Sequence, residues 1–184
     1  MGKLEYLVIH CSATPAKMIV TKAMLEEWHL GPLDLPGGRV KYRGKEYPSR
    51  RELPKDLLNG KVIEQVKGRG WDRLGYSVLI HRNGMKEIIT AYNNDDIIES
   101  HEMTWGATGI NAISRHVCLE GGGDGKELVQ FDDLFTESQK VTLINYIKEQ
   151  RAFVPKLKVA GHNEFTKKAC PGFKVASFLE NNLL

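Results

Sequence analysis

The stretch YLVIHCSA, residues 6–13, is a short run of aliphatic and β-branched residues that ends in small polar ones, and it reads as a buried strand. His10 lies near its C-terminal end. Side chains alternate across a strand, so Cys11 points away from the face that carries His10 and is expected in the core.

The rest of the chain surrounds that strand with both helices and further strands. Thr21 stands ahead of KAMLEEWHL, where Met24, Leu25 and Trp28 recur at helical spacing, and Thr21 is a natural N-cap. YSVLIHRNG (76–84) and KEIITAY (86–92) flank an Asn-Gly turn, which predicts a β-hairpin. ISRHVCLEGG (113–122) reads as another strand ending in glycines, with Cys118 buried. TESQKVTLINYIKEQ (136–150) reads as a helix capped by Thr136, with Val141, Ile144 and Ile147 expected inward. KVAGH supplies a last short strand. Strands mixed with helices, without repeats, predict an α/β fold: a single domain, residues 1–184, with a central mixed β-sheet flanked by helices.

Composition narrows the function. In 184 residues, 41% hydrophobic and 27% charged residues are ordinary for one globular domain with a real core. A bilayer span needs about 18 consecutive apolar residues, and no such run occurs, so no membrane insertion is expected. The N-terminus lacks a charged stretch followed by a long apolar run, so the protein is expected in the cytoplasm on synthesis. Three cysteines, Cys11, Cys118 and Cys170, cannot pair completely, which favours ligand, nucleophile or core roles over a disulfide framework. A net charge of +3 gives no case for nucleic acid as a partner. The charge is uneven, however: residues 31–67 hold nine Lys or Arg against five acids. Prolines and glycines cluster there too, so the segment reads as a basic insertion of loops with a short hairpin, either a solvated face or a contact for an anionic substrate.

The chemistry question is which groups converge at strand ends. A catalytic zinc takes three ligands from His, Cys or carboxylate and keeps a fourth position for water. His10, His162 and Cys170 each lie at or just beyond a strand-like run. Spacing alone leaves them open, either as a metal site or as strand histidines and a small core cysteine.

Four separated motifs, in order, carry a resemblance: VIHCSAT, GRGWDRLGYSVLIHRNG, CLEGG, and GHNEF with KKACPGF. Together they are similar to the zinc-dependent N-acetylmuramoyl-L-alanine amidases of the type 2 family, especially the bacteriophage lysozyme-amidases. The same fold is shared by peptidoglycan recognition proteins, some of which only bind. The resemblance covers most of the chain apart from 31–67. It implies His10, His162 and Cys170 as ligands of one zinc ion, and binding-only relatives typically lack this cysteine. It also implies Tyr76 and Lys168 as catalytic assistants beside the metal. His101 and Asn111 are implied as substrate contacts, with His29 a weaker one, and Ser114 as either a substrate contact or a loop-shaping residue. The implied activity is hydrolysis of the bond between muramic acid and L-alanine in peptidoglycan or a muropeptide, by a monomer, acting on the wall after release or on cytoplasmic muropeptides. The alternative is a silent binding or regulatory module of the same fold. One departure stands out. Asn163 and Glu164 follow the histidine where relatives carry Arg-Asp, so Glu164 is expected to stand in for that acid.

Overall fold

A computed structural model describes residues 2–123 and 126–184. The principal elements in chain order are β1 (Tyr6–Cys11), α1 (Lys22–Leu30), β2 (Val78–Ile80), β3 (Lys86–Ile88), β4 (Ser114–Leu119), α2 (Glu137–Phe153), β5 (Lys158–Gly161) and α3 (Val175–Asn181). They are arranged in two compact units, one formed by the chain up to Ile19 together with Tyr76–Leu184, the other by Val20–Gly75.

The larger unit is built on a five-stranded sheet in the order β5-β1-β4-β2-β3. Four strands run parallel and only β3 is antiparallel, joined to β2 through the Asn83-Gly84 turn. The fold is therefore α/β with a central mixed sheet. β1 and β4 are buried along nearly their whole length because parallel strands are covered on both faces, although β4 carries Ser114, Arg115 and His116 in its first half. On one face Leu7, Ile9, Cys11, Val78, Ile80, Val117 and Leu119 pack with Leu143, Tyr146 and Ile147 of α2 and Phe178 of α3. Each such side chain contributes about 1.5–3 kcal/mol on burial. Tyr6, Val8 and His10 occupy the opposite face, in register with Ser114, His116 and Cys118.

Helix α2 departs from the expected inward set. Its buried residues are Gln139, Leu143, Tyr146, Ile147 and Gln150, while Val141 is 49% exposed. The cause is its N-terminal anchor. Thr136 Oγ1 accepts from the Gln139 N–H and Gln139 Oε1 accepts from the Thr136 N–H, closing a capping box. Gln139 Nε2 then donates to the carbonyls of Ile80 (3.1 Å) and Glu120 (2.9 Å). A polar residue thus faces the sheet and satisfies the backbone at the ends of β2 and β4. Val141, two residues on, is rotated to the outside.

The smaller unit begins earlier than the expected insertion and includes α1. Thr21 Oγ1 accepts from the Met24 N–H as the N-cap, and Leu25 and His29 are the buried residues of the helix. Beyond it, Leu33–Asp34, Val40–Tyr42 and Lys45–Tyr47 form a three-stranded antiparallel sheet, and Leu57–Leu58 pairs with Lys61–Val62. Val40, Tyr42, Leu53, Leu58, Ile63 and Val66 make its own core. Part of its basic surplus is engaged locally, by Arg39 with Glu46, Arg50 with Asp34, Lys55 with Glu64 and Lys61 with Glu27. Those pairs fit a solvated face whose positive charge they offset only in part.

Candidate metal centre

The carboxyl ends of β1, β4, β2 and β5 share one edge of the sheet, the edge where open α/β sheets present ligand-binding groups. His10 is the penultimate residue of β1, and His162 follows β5 directly. Cys170 comes from the loop that follows and is brought back by a backbone bond, Asn163 N–H to the Cys170 carbonyl at 2.7 Å. The same loop is stitched by Glu164 Oε1, which accepts from the Gly161 N–H at 2.6 Å, and by Asn163 Nδ2, which donates to the Phe173 carbonyl. Glu164 therefore closes its own turn through its carboxylate.

His10, His162 and Cys170 each offer a ligand atom, and these atoms lie within 4.8 Å of one another. Among the described residues this is the one such grouping of three. Cys170 Sγ is 3.8 Å from His10 Nδ1, and the Cys11 N–H donates to the same sulfur at 3.3 Å. Tetrahedral zinc with bonds of about 2.3 Å to sulfur and about 2.05 Å to nitrogen separates those two atoms by about 3.5 Å. The donor set suits a zinc ion, and the Cys170–His10 pair needs only a small inward adjustment. The ring centroids of His10 and His162 are 4.6 Å apart. His10 is 1% exposed and His162 9%, while Cys170 is half-buried.

Contact with the Cys11 thiol, together with burial, pushes the Cys170 thiol above its ordinary range. A divalent cation reverses that balance, because a coordinating thiol gives up its proton. Burial above all, with the nearby His162, lowers His116 to about 3, so this imidazole is neutral in the folded protein.

The remaining expected residues differ in where they lie. The Tyr76 ring is 5.2 Å from His10, centroid to centroid, and its side chain hydrogen-bonds toward the buried Cys118 thiol, whose pKa burial raises. Lys168 is exposed on the loop two residues before Cys170, with its N–H on Thr166 Oγ1. His101 is 67% exposed in its side chain and pairs with Glu99 at 3.2 Å. Asn111 Oδ1 accepts from the Ala107 N–H at 2.8 Å and so shapes its own loop. His29 is buried in the smaller unit, accepting from the Gly75 N–H and stacked on Trp71. Cys11 and Cys118 are core residues at 3% and 0% exposure. Gly122, with φ of 93°, allows the chain to pass Cys11 closely, since a Cβ there would come 2.6 Å from the Cys11 Cβ.

His116 is the neighbour that sequence reasoning missed. It is fully buried, with Nδ1 2.9 Å from His10 Nε2 and Nε2 2.9 Å from Ser114 Oγ. Ser114 is buried as well. The available signal was a histidine just ahead of the apolar run Val117–Leu119 of a strand, where a buried imidazole needs a hydrogen-bond partner.

No family model matches the chain. It is similar over nearly its whole length to the endolysin of Enterobacteria phage K11, at 27% identity over 176 residues, 96% of this chain and 85% of that protein. It is likewise similar to the endolysin of Escherichia phage T7, at 27% identity, covering 98% of this chain and 88% of that one. Among solved structures, the N-acetylmuramoyl-L-alanine amidase LysC from Clostridium intestinale URNW superposes with a TM-score of 0.59 at 15% identity, over 99% of this chain and 87% of that one. Drosophila PGRP-LB gives 0.53 at 19% identity, over 97% and 81%. The chain thus has the α/β fold of the N-acetylmuramoyl-L-alanine amidases and the peptidoglycan recognition proteins.

Proposed function

We propose that this chain is a zinc amidase of the type 2 family, one amidase domain that hydrolyses the amide between N-acetylmuramic acid and L-alanine in peptidoglycan. The observation that carries the reading is the convergence of His10, His162 and Cys170 at the carboxyl edge of the sheet, beside Tyr76. The likeness to phage endolysins along nearly the whole chain supports the substrate class.

A zinc ion bound by the three residues supplies Lewis acidity and a water acidic enough to attack an amide near neutral pH. The protein's part is to hold two neutral imidazoles and a thiolate, which leaves net positive charge at the site. As water adds to the carbonyl carbon, negative charge develops on the carbonyl oxygen, and the Lys168 ammonium or the Tyr76 hydroxyl is the donor assigned to it. The C–N bond then breaks, and the proton from the attacking water must reach the departing alanine nitrogen. That transfer is assigned to Tyr76 or Lys168, and the ring of Tyr76 lies 5.2 Å from that of His10.

The test is zinc content measured together with new L-alanine amino termini released from purified peptidoglycan, with Cys170→Ala as control. Stoichiometric zinc with new termini, both lost in the variant, is expected. Zinc without new termini would move the reading to a binding module, and a wild-type chain without zinc would overturn the site. Comparing intact sacculi with soluble anhydro-muropeptides then separates wall lysis from muropeptide recycling.

A further inference from the structure

The hydrogen bonds of Ser114 and His116 set the tautomer of His10. Ser114 Oγ lies 2.7 Å from the Ile110 carbonyl, which can only accept, so the hydroxyl proton of Ser114 points there. With its single proton committed, Ser114 Oγ accepts from His116 Nε2 at 2.9 Å. His116, fully buried and without a carboxylate among its hydrogen-bond partners, then carries its proton on Nε2 and presents a bare Nδ1. That nitrogen, 2.9 Å from His10 Nε2, accepts the proton of His10. His10 is left with a bare Nδ1, the nitrogen that faces Cys170 Sγ at 3.8 Å.

We infer that His116 and Ser114 are positioning residues that lock His10 in the Nε2–H tautomer, so that its Nδ1 lone pair is aimed at the metal position before any ion arrives. The inference rests on the zinc reading above and deepens it. The usual partner of a ligating imidazole is a carboxylate or a backbone carbonyl. Here an imidazole and a hydroxyl relay the constraint from a backbone carbonyl three groups away. The arrangement follows from the sheet. β1 and β4 are parallel neighbours in which His116 is level with Val8, so the same-face neighbour diagonal to it is His10, and Ser114 lies two residues back on that face. Because the relay is buried and neutral, it fixes the ligand's direction without adding negative charge to a site that must stay electrophilic.

Two measurements test this on the full chain. Long-range proton–nitrogen NMR of the chelator-treated protein should show His10 protonated at Nε2 and bare at Nδ1; the opposite tautomer would overturn the inference whatever the metal affinity. Zinc affinity is then measured by chelator competition for wild type, His116→Leu, His116→Asn and Ser114→Ala, with circular dichroism to verify folding. His116→Leu should weaken zinc about 10- to 100-fold. His116→Asn, whose amide oxygen can accept from His10 in place of Nδ1, should recover most of that loss, a rescue that a purely packing role would not give. Ser114→Ala should weaken zinc several-fold, and it stands in if the leucine variant does not fold. Wild-type affinity in His116→Leu, or in Ser114→Ala if that is the folded variant, refutes the positioning role and leaves the zinc reading intact. Absence of zinc from the wild type refutes both.

Discussion

Acidification should expose the buried His29 as a weak point of the smaller unit. Its imidazole is 5% exposed, stacks on Trp71 with ring centroids 5.1 Å apart, and accepts from the Gly75 N–H on Nδ1 at 3.2 Å. Burial, with the Arg69 charge as a second cause, lowers its pKa from 6.5 to about 4. Protonation would also break the Gly75 bond, since Nδ1 can no longer accept. In the unfolded chain the same imidazole takes up its proton near 6.5. The unfolded state therefore binds more protons between those two values, and the stability His29 contributes is present above pH 6.5 and lost as pH falls toward 4. Integrating the linkage gives about 2.5 kcal/mol lost between pH 7.5 and 4.5. The assay is urea unfolding of wild type and His29→Gln at a series of pH values, followed by tryptophan fluorescence. Glutamine has no titration in this range, so the difference in unfolding free energy should shift by that amount across the series, toward the variant at low pH. A difference that stays constant with pH would show that His29 is not held neutral by its burial, and the argument would fail.

The capping network of α2 makes a stability prediction. Gln139→Ala removes the acceptor for Thr136 N–H and both donors to the Ile80 and Glu120 carbonyls, all at a site with no exposure. Unsatisfied buried groups cost about 1–3 kcal/mol each before relaxation, so a loss of roughly 2–4 kcal/mol is expected by chemical denaturation. The Ile80 carbonyl keeps the Glu120 N–H, so a loss under about 1 kcal/mol would mean that the Thr136 N–H and the Glu120 carbonyl find other partners. Val141→Lys should fall within about 0.5 kcal/mol of wild type, because the position faces solvent. A large loss there would place Val141 in an unrecognised contact.

How far the site could be read depended on the kind of interaction. The three candidate ligands were nameable from motifs because each lies at the end of a locally recognisable strand or in the short GHNEF–KKACPGF segment. Their proximity was not, since it needs β1 and β5 side by side and the Asn163 N–H to Cys170 carbonyl bond that folds the loop back. Glu164 looked like a stand-in for an acid beside the metal, but sequence gave no sign that its carboxylate would be taken by the Gly161 N–H one turn away. His101 and Asn111 were expected along the substrate path. Each also engages a neighbour of its own loop, Glu99 and Ala107, which the sequence did not indicate. Val141 was misplaced because hydrophobicity alone ranked it above Gln139, and only the buried carbonyls of Ile80 and Glu120 at the strand ends give a glutamine reason to face the sheet.

By itself the amino-acid sequence determined the elements: the apolar run of β1, the Asn-Gly hairpin, the Thr21 and Thr136 caps and the α/β class. These rest on interactions among residues a few positions apart, whose physics is written in local order. Tertiary structure alone decided that β1 and β4 would lie parallel with His116 diagonal to His10, a pairing 106 residues apart in the chain. Strand order and register arise from burial of both sheet faces at once. No local stretch contains that sum, so the partner that orients His10 became visible only when the strands were side by side.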